Sequence, residues 1–352
     1  MDELFDDTLF EKLLGKYKTG LLCKDNNIIN GKIEMPDAII NFYPEKNSKF
    51  YNECLAAGEK SISSGELAVF IVNGGMATRF GSHVKGVVEV FDDKSFLQLK
   101  TENIKLISEN LKKKIHIYIM NSIFTDELTK ELFEKKNYFN YDGNYIHFAN
   151  QFYFKRIDKT GNIIDDESSI KYGSGHGDFF YVVKKFFPEI MINARYLFFS
   201  NVDNLGATLD PVILGYHIIK KKDITVEIAE KYQGDKGGTP AIVGGKPQIV
   251  EEFKFPKSFN QDSIRYFNTA TYIYSTEMFK KNVELPFYLV EKKVDDNEVI
   301  QFERLAGDLT QFFNANYLVI DRKERFFPIK TPDDLDNSRA ALKDLLKDKI
   351  SK

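Results

Sequence analysis

An unbroken apolar run that ends in glycines constrains this chain more than any other feature of its sequence. Leu67–Val72 contains no polar residue, as expected of a strand that is buried on both faces of a sheet. The tripeptide Asn73-Gly74-Gly75 follows it directly. A glycine-rich turn at the end of a buried strand leaves backbone N–H groups free to face a polyphosphate. The pattern predicts a turn that binds a nucleotide.

Two common phosphate-binding signatures are absent from the sequence. The segment 173–178 comes nearest to G-x-G-x-x-G, but Asp178 stands in its last position, so the dinucleotide fingerprint fails. The segment 81–86 has the first spacing of a Walker A loop, yet Val87 and Val88 stand where Lys and Ser/Thr belong. The predicted turn is therefore a different kind of phosphate site.

Cations close behind the turn favour phosphate binding over a purely structural role. Glycines after a strand are equally typical of a strand-to-helix turn that only requires positive φ. Arg79 and Lys85 follow this turn and supply positive charge beside it. We therefore interpret the turn as part of a nucleotide site.

The composition limits the classes of partner. With 352 residues, 43% of them hydrophobic, the chain is long enough for one large α/β domain or two smaller ones. A net charge of -3 gives no basic excess, so we expect neither nucleic acid nor a membrane surface as a partner. The two cysteines, Cys23 and Cys54, form neither a disulfide framework nor a zinc pattern. Without an export signal or a membrane-spanning run, we expect a cytoplasmic protein.

Short apolar segments alternate with amphipathic helical stretches from residue 67 onward, which predicts a mainly parallel sheet with helices on both sides. The predicted strands lie at 67–72, 115–120, 196–199, 224–228, 317–320 and 326–329. Residues 238–250 predict a hairpin with a Gly-Gly turn, so the sheet should be mixed. Pro332 should open a closing helix. We assign residues 1–66 to an N-terminal helical layer and 67–352 to the main domain.

Two further segments contain residues that could take part in chemistry. The segment 173–178 precedes an apolar helix, where free N–H groups could receive an anion and His176 could enter a cleft. The alternative is that Asp178 only caps the helix and His176 is a solvated turn residue. Asp203 follows a predicted central strand, which suits Mg²⁺ binding against phosphates, although it could simply cap the next helix.

Seven segments, in this order along the chain, resemble the UTP:glucose-1-phosphate uridylyltransferase (UDP-glucose pyrophosphorylase) family, within the wider group of UDP-sugar pyrophosphorylases. Seven ordered segments are far more specific than any one of them. The segments are 72–75 with Lys85, Asn150-Gln151 before Arg156-Ile157, 175–178, 200–208, 236–239, Phe267-Asn268-Thr269 and 327–331.

The resemblance implies a three-layer α/β/α sandwich, a Rossmann-like nucleotidyltransferase fold of the GT-A-like type with a mixed, mainly parallel central sheet. It also implies UTP and glucose 1-phosphate as substrates, Mg²⁺ as cofactor and Asp203 as the metal ligand. Lys85 and Lys330 would hold the triphosphate as catalytic residues. The implied UTP-binding residues are Asn73, Gly74, Gly75, Arg79, Gln151 and Gly175. The implied sugar-phosphate residues are His176, Asn201, Gly238, Glu251 and Asn268.

The sequence also departs from the family pattern. The segment before Lys85 is shorter than in many members and lacks their proline. Ala270 stands where the eukaryotic glucose enzymes carry a second Asn, which leaves other sugar 1-phosphates, such as those of N-acetylhexosamine, galactose or a pentose, as alternatives. The C-terminal β-helix that eukaryotic relatives use for oligomerisation is missing, so we expect a monomer or a small homo-oligomer.

Two alternatives belong to other functional classes. A non-catalytic sensor of nucleotide sugars would bind UTP without releasing pyrophosphate, but the complete set of Lys85, Asp203 and Lys330 favours an enzyme. A nicotinamide oxidoreductase is the general expectation for an α/β chain of this length, and the missing dinucleotide fingerprint speaks against it.

Overall fold

A computed structural model describes residues 3–77, 83–164, 171–232, 234–235, 237–294 and 297–350. Its α-helices are α1 Asp7–Lys18, α2 Lys49–Ser63, α3 Phe96–Asn110, α4 Asp126–Lys135, α5 Phe179–Phe186, α6 Ile190–Asn193, α7 Pro211–Lys220, α8 Arg322–Arg325 and α9 Pro332–Leu346. Its first strands are β1 Ile33–Glu34, β2 Ile40–Phe42, β3 Leu67–Val72, β4 Met76–Ala77, β5 His83–Val84, β6 Glu89–Phe91, β7 Lys94–Ser95, β8 His116–Asn121, β9 Ile146–Asn150 and β10 Tyr153–Lys155. The remaining strands are β11 Lys171–Gly173, β12 Tyr196–Asn201, β13 Ile224–Glu230, β14 Thr239–Val243, β15 Lys246–Val250, β16 Tyr266–Ser275, β17 Tyr288–Val294, β18 Asn297–Glu303 and β19 Ala315–Val319.

An eight-stranded sheet in the order β2-β19-β13-β16-β12-β3-β8-β9 forms the centre of the molecule. All neighbouring strands in it run parallel except β16, which is antiparallel to both β12 and β13. The chain passes from β3 to β8 on one side, and β12 lies on the other side of β3. The strand order therefore reverses at β3, and a crevice outside the carboxyl ends of the strands at such a reversal is where α/β sheets bind ligands.

The central sheet is covered by helices on both faces. Along β3, Val69 and Ile71 face one hydrophobic core while Ala68 and Phe70 face the other, as the period of two in a strand requires. The first core contains buried side chains of α2, α3, α4, α7 and α9. The second contains those of α5 and α6. The predicted three-layer α/β/α architecture with a mixed, mainly parallel sheet is confirmed.

The antiparallel part of the central sheet differs from the sequence prediction. The hairpin with the Gly-Gly turn forms as predicted from β14 and β15, but it pairs with β1 in a separate three-stranded sheet. The antiparallel strand of the central sheet is β16 instead. Its pairing with β13 shifts between Glu227 and Ile228, so Thr269 and Ala270 bulge out of the ladder. Bulges of this kind commonly lie beside active sites.

Two other segments depart from their predicted structure. The prediction of a strand at 326–329 is wrong, because these residues form only an isolated bridge between Pro328 and Asn204. The N-terminal segment contains α1 and α2, and it also contributes β2 to an edge of the central sheet and β1 to the hairpin sheet. The boundary at residue 66 stays a prediction, although β1 and β2 tie the N-terminal segment closely to the main domain.

The predicted closing helix is α9, which begins at Pro332. Thr331 caps it by accepting a hydrogen bond from the Asp334 backbone N–H at 3.1 Å, and the Asp334 carboxylate accepts one from the Thr331 N–H at 2.8 Å. This capping box fixes the chain direction just after Lys330. Among the residues with described structure, no helix is both long and apolar enough to cross a bilayer.

Candidate active site

Asn73, Gly74, Gly75, Gln151, Asn201 and Asp203 lie at or just after the carboxyl ends of β3, β9 and β12. Parallel register aligns these ends, since Val72 pairs with both Met120 and Asn201, and Asn121 pairs with Asn150. We call residues 73–75 the glycine turn and residues 200–208 the aspartate loop. Arg79, a predicted UTP-binding residue, lies outside the described residues.

The side chain of Asn73 points into the protein and fixes the start of the glycine turn. Its Nδ2 donates to Asn121 Oδ1 at 2.8 Å and to Thr129 Oγ1 at 2.9 Å, and Asn73 is fully buried. Its backbone N–H donates to the Met120 carbonyl at 2.8 Å, so backbone N–H groups for UTP would come from Gly74 and Gly75. Gly74 and Gly75 follow, and the absence of side chains there leaves the backbone open on the outer side.

Gln151, the residue predicted to recognise uracil, lies between two glycines. A Cβ added to Gly74 would lie 2.7 Å from Gln151 Nε2, and a Cβ added to Gly173 would overlap the same atom. Gln151 is 7% exposed. No group of the described chain hydrogen-bonds its carboxamide, which therefore retains both a donor and an acceptor for the edge of a base. The structure brings Gln151 and the glycine turn together, and their role in UTP binding stays a prediction.

The loop before α5 is held by buried groups. Asp178 does not cap the helix with its side chain; it accepts hydrogen bonds from Ser174 Oγ and Arg304 Nε in the interior. The Arg304 guanidinium also lies over the Tyr181 ring at 3.8 Å. The Gly177 N–H donates to the Arg304 carbonyl at 2.9 Å, and a Cβ on Gly175 would overlap that carbonyl. Gly175 is thus required where two chain segments touch, whether or not it also contacts a nucleoside.

His176 is a partly buried residue, not a solvated one. Its Nδ1 accepts a hydrogen bond from the Ala306 N–H at 3.1 Å, and burial lowers the pKa of the imidazole. A neutral ring whose Nδ1 accepts must carry its proton on Nε2. His176 can therefore offer an N–H donor to a phosphate or sugar oxygen near neutral pH.

Lys85 and Asp203 meet although they are far apart in the sequence. Lys85 Nζ lies 3.1 Å from Asp203 Oδ2, and both side chains are mostly covered. The Ile329 N–H donates to the Asp203 carbonyl at 3.1 Å, which brings the neighbouring Lys330 to the same loop. Lys330 itself is exposed. Asn201 ends β12 two residues before Asp203, so the site brings together an amine, a carboxylate and an amide, with the backbone before Lys330 beside them.

The predicted sugar-facing residues form a second group. The Asn268 N–H donates to the Gly238 carbonyl at 2.8 Å, and a Cβ on Gly238 would lie 2.7 Å from Glu251 Oε1. Burial and the Asp308 carboxylate raise the pKa of Glu251 to about 7, against the opposing effect of Lys254. Glu251 can thus donate or accept a hydrogen bond near neutral pH, which suits recognition of a hydroxyl group.

The donor set at Asp203 is compatible with Mg²⁺. In the described part of the chain, no three His, Cys, Asp or Glu side chains form a cluster that could hold a metal by themselves. Mg²⁺ does not need such a cluster, because it commonly binds through one or two carboxylates together with substrate phosphates. Asp203 is a carboxylate of this kind, with 27% of its side chain exposed.

Sequence reasoning missed the charged residues beneath the site. Lys100 is 6% exposed, and Arg304 and Arg325 are equally buried. The sequence contains a signal for Lys100, because this lysine shares a helical face with Phe96, Leu97 and Ile104 at spacings of four and three residues. A charge inside an apolar stripe indicates either a buried partner or a solvated helix edge, and only the fold distinguishes the two.

The arrangement suits chemistry between anions. The glycine turn follows β3, and the Lys85 amine and the Asp203 carboxylate meet after the neighbouring strand β12, with the backbone before Lys330 bonded to the same loop. Neutralising charge and aligning reactants are the main requirements of phosphoryl-type transfer.

Two solved structures of UDP-sugar pyrophosphorylases superpose on this chain over most of its length. The uridine diphosphate N-acetylglucosamine pyrophosphorylase of Trypanosoma brucei superposes with a TM-score of 0.77 at 21% identity, over 95% of this chain and 75% of that one. The UDP-glucose phosphorylase of the same organism gives a TM-score of 0.73 at 23% identity, over 93% of this chain and 77% of that one. The fold is that of the UDP-sugar pyrophosphorylases, a nucleotidyltransferase-like α/β fold.

Sequence comparison identifies the family. The family model described as UTP--glucose-1-phosphate uridylyltransferase matches residues 21–351, and the chain belongs to this family. UTP--glucose-1-phosphate uridylyltransferase 2 of Dictyostelium discoideum is 33% identical over 313 residues, 81% of this chain and 61% of that protein. The enzyme of Encephalitozoon cuniculi is 29% identical over 346 residues, 93% of this chain and 66% of that protein. The chain thus spans less than two thirds of the length of these relatives.

Proposed function

We propose that this protein transfers a uridylyl group from UTP to glucose 1-phosphate and releases pyrophosphate. The observation that supports the proposal most is the meeting of Lys85, Asp203 and the segment before Lys330 at the carboxyl ends of β3 and β12. These groups come from three distant parts of the sequence and supply the charges that two anionic substrates require. Membership of the uridylyltransferase family points to the same reaction.

The proposed reaction is a single in-line displacement. A phosphate oxygen of glucose 1-phosphate uses a lone pair to form a bond to the α-phosphorus of UTP. The bond from that phosphorus to the oxygen bridging to the β-phosphate breaks, and its electron pair leaves with pyrophosphate. The product is UDP-glucose. No general base is needed, because a phosphate dianion is already a nucleophile.

Some of the described residues would bind the substrates, and others would stabilise charge on the phosphates. Gln151 would hydrogen-bond the uracil edge, and the glycine turn would face the phosphates with its backbone. His176 would donate from Nε2 to the sugar phosphate, while Gly238, Glu251 and Asn268 would face the hexose. Lys85 and Lys330 would neutralise charge on the triphosphate.

Two features of Asp203 fit the expected cofactor. Its carboxylate is partly exposed, and the Lys85 amine, 3.1 Å away, balances its charge. Asp203 would hold Mg²⁺, which when bound supplies electrostatic stabilisation of phosphate oxygens. Lys85, whose amine lies beside this carboxylate, would contact a phosphate oxygen.

The sugar is the least constrained part of the proposal. Ala270 lies in the bulge beside Asn268, at the position where eukaryotic glucose enzymes carry Asn, so this chain lacks one polar group near the predicted hexose pocket. A sugar 1-phosphate other than that of glucose, such as N-acetylhexosamine or galactose, is the second candidate.

A pyrophosphate-release assay tests the function directly. Purified protein with Mg²⁺ is given UTP, ATP or CTP together with the 1-phosphate of glucose, galactose or N-acetylglucosamine, and released pyrophosphate is measured by a coupled enzyme. We expect release only with UTP and fastest with glucose 1-phosphate. Failure with glucose 1-phosphate but release with another sugar would contradict the sugar assignment. Binding of UTP without release from any pair would indicate a sensor and refute the proposed reaction.

A further inference from the structure

A buried lysine that the proposed reaction does not use lies beneath the aspartate loop. Lys100 belongs to α3, and its side chain passes between apolar residues of the core to reach the central sheet. Only 6% of the residue is exposed. Placing an amine there is unfavourable unless its N–H groups are bonded, so its partners show what the position requires.

The Lys100 amine bonds to both ends of the aspartate loop. Its Nζ donates to Ser200 Oγ at 3.0 Å, where the chain leaves β12, and to the Ala207 carbonyl at 2.9 Å, where the loop ends. Asp203 lies between these two contacts. The amine thus joins the start and the end of the segment that carries Asn201 and Asp203.

A second buried cation supports the same loop from the other side. Arg325 Nη2 donates to the Thr208 carbonyl at 3.0 Å, and the Glu227 carboxylate accepts from the guanidinium at 2.6 and 2.8 Å. Asn204 Nδ2 in turn donates to the Arg325 carbonyl at 3.2 Å. Arg325 has a carboxylate partner that explains its burial. Among the described residues, the hydrogen bonds of the Lys100 amine go to two neutral oxygens, Ser200 Oγ and the Ala207 carbonyl.

We propose that Lys100 is a positioning residue for the transfer reaction, and that it holds the aspartate loop in the conformation that presents Asp203 and Asn201 to the substrates. This inference rests on the proposed function for its catalytic part and on the contacts above for its structural part. In this role Lys100 does not contact a substrate. It acts through the loop.

Hydrogen exchange tests the structural part without any substrate. In the variant Lys100→Met, the backbone amides of Val202, Ala207, Thr208 and Leu209 should exchange at least about fivefold faster, because two hydrogen bonds that fix the loop are lost. Exchange in β3 and β8 should not change. The matched control Lys105→Met replaces a lysine on the same helix. Its one ion pair with a described residue is to Glu109, at 3.9 Å, so the variant should leave the loop amides unaffected.

Steady-state kinetics test the catalytic part. A misplaced loop should lower kcat by roughly 10- to 100-fold, since displacement of reacting groups by about 1 Å has effects of this size. The KM for UTP should change by less than about threefold, because Gln151 and the glycine turn, which do not contact Lys100, would bind the nucleoside. A role in stability alone would also lower the apparent kcat at constant KM, so kcat is calculated per folded molecule, with the folded fraction measured by circular dichroism. A wild-type kcat after this correction would refute the positioning role.

A milder variant covers the case in which Lys100→Met does not fold. Ser200→Ala removes one of the two contacts and should show the same changes, smaller in size. Faster exchange in the aspartate loop with wild-type kcat would refute the catalytic part, and unchanged exchange in both variants would overturn the inference altogether. If wild-type protein releases no pyrophosphate from any substrate pair, the proposed function fails, while the exchange result still decides whether Lys100 holds the loop.

Discussion

The glycine turn and the aspartate loop come after neighbouring parallel strands, yet they are built in opposite ways. The glycine turn depends on missing side chains: Gly74 lets Gln151 approach, and the one large side chain, Asn73, is directed inward. The aspartate loop depends on side chains beneath it, where Lys100 and Arg325 bond its carbonyl groups.

This difference separates binding from alignment. A turn without side chains can accept a phosphate or a base through its backbone, but it has few means of fixing a charged group in place. A loop whose carbonyls are bonded to buried cations can hold a carboxylate in one position while substrates change around it. We therefore expect variants near the glycine turn to affect KM for UTP, and variants around the aspartate loop to affect kcat.

The largest expected effect is on the aspartate-loop side. Lys330→Ala should lower kcat by roughly 100-fold or more, the usual size for a preorganised group that stabilises charge. The fold should be unchanged, because Lys330 is exposed and its contact with Asp334 is made by the backbone N–H. Pyrophosphate release at saturating substrate measures the effect. Lys323→Ala, another exposed lysine just before the same segment, is the control, and equal turnover in both variants would contradict the role of Lys330.

The second largest expected effect is a pH dependence of the free energy of unfolding, which comes from Lys100 beneath the aspartate loop. Burial lowers the pKa of Lys100 to about 7 despite the attraction of Asp203. Between pH 7 and the pKa near 10.4 of an unfolded lysine, the unfolded chain binds more protons, so rising pH stabilises the folded protein. The free energy of unfolding of wild type should increase relative to Lys100→Met by about 1.4 kcal/mol per pH unit in this window. Below pH 7 the difference should be constant.

Urea unfolding at pH 6, 7, 8 and 9 measures this difference. Other titrating groups, including the Cys54 thiol whose pKa burial raises to about 11, contribute to both proteins and cancel. Parallel curves for wild type and Lys100→Met over the whole range would show that Lys100 does not titrate there.

The glycine-turn side should respond through UTP affinity. In Gly173→Ala the new Cβ would displace the Gln151 carboxamide, so the KM for UTP should rise about tenfold, roughly the value of one lost hydrogen bond. The kcat should change much less. Gly15→Ala is a suitable control, because an added Cβ there meets no described atom within 4 Å. A fall in kcat with unchanged KM would contradict the assignment of UTP binding to the glycine turn and of alignment to the aspartate loop.

The smallest expected effect concerns the bulge beside the aspartate loop. Ala270 has a φ of 54°, a left-handed conformation that is unfavourable for any residue with a Cβ. Ala270→Gly should therefore raise the free energy of unfolding by about 0.5–1 kcal/mol. Ala315→Gly in the regular strand β19 should lower it by a similar amount. Thermal unfolding of the two variants checks the sign, and destabilisation by both would show that the bulge is not strained.

The sequence predicted those parts of the fold that local pattern determines. Apolar runs such as Leu67–Val72 and the Pro332 helix start were recognisable because their signals lie within a few residues. The pairing of β16 was not, since antiparallel insertion between β12 and β13 depends on partners far along the chain. The apolar segment 326–329 has the composition of a strand, but the N–H groups of Phe327 and Ile329 bond to the aspartate loop.

In the candidate site, too, the sequence predicted the residues that local pattern marks and missed those that depend on distant partners. The glycine turn, His176 and Asp203 were found because each follows a visible strand or precedes a visible helix. The family resemblance implied that Lys85 and Asp203 both belong to the substrate site. The structure shows that Lys85 Nζ lies 3.1 Å from Asp203 Oδ2. Lys100 and Arg304 were missed because a charged side chain is buried only when the fold brings partners around it. The hydrophobic periodicity of a single segment does not show those partners.

The position of β2 has a consequence for biosynthesis. This strand, Ile40–Phe42, leaves the ribosome early, but its only described neighbour in the central sheet is β19, Ala315–Val319. At usual translation rates the two are made tens of seconds apart, on the order of 10–60 s. During that interval the backbone groups of β2 that later bond to β19 are unpaired, and unpaired strand edges of this kind can pair with other chains, which chaperones prevent.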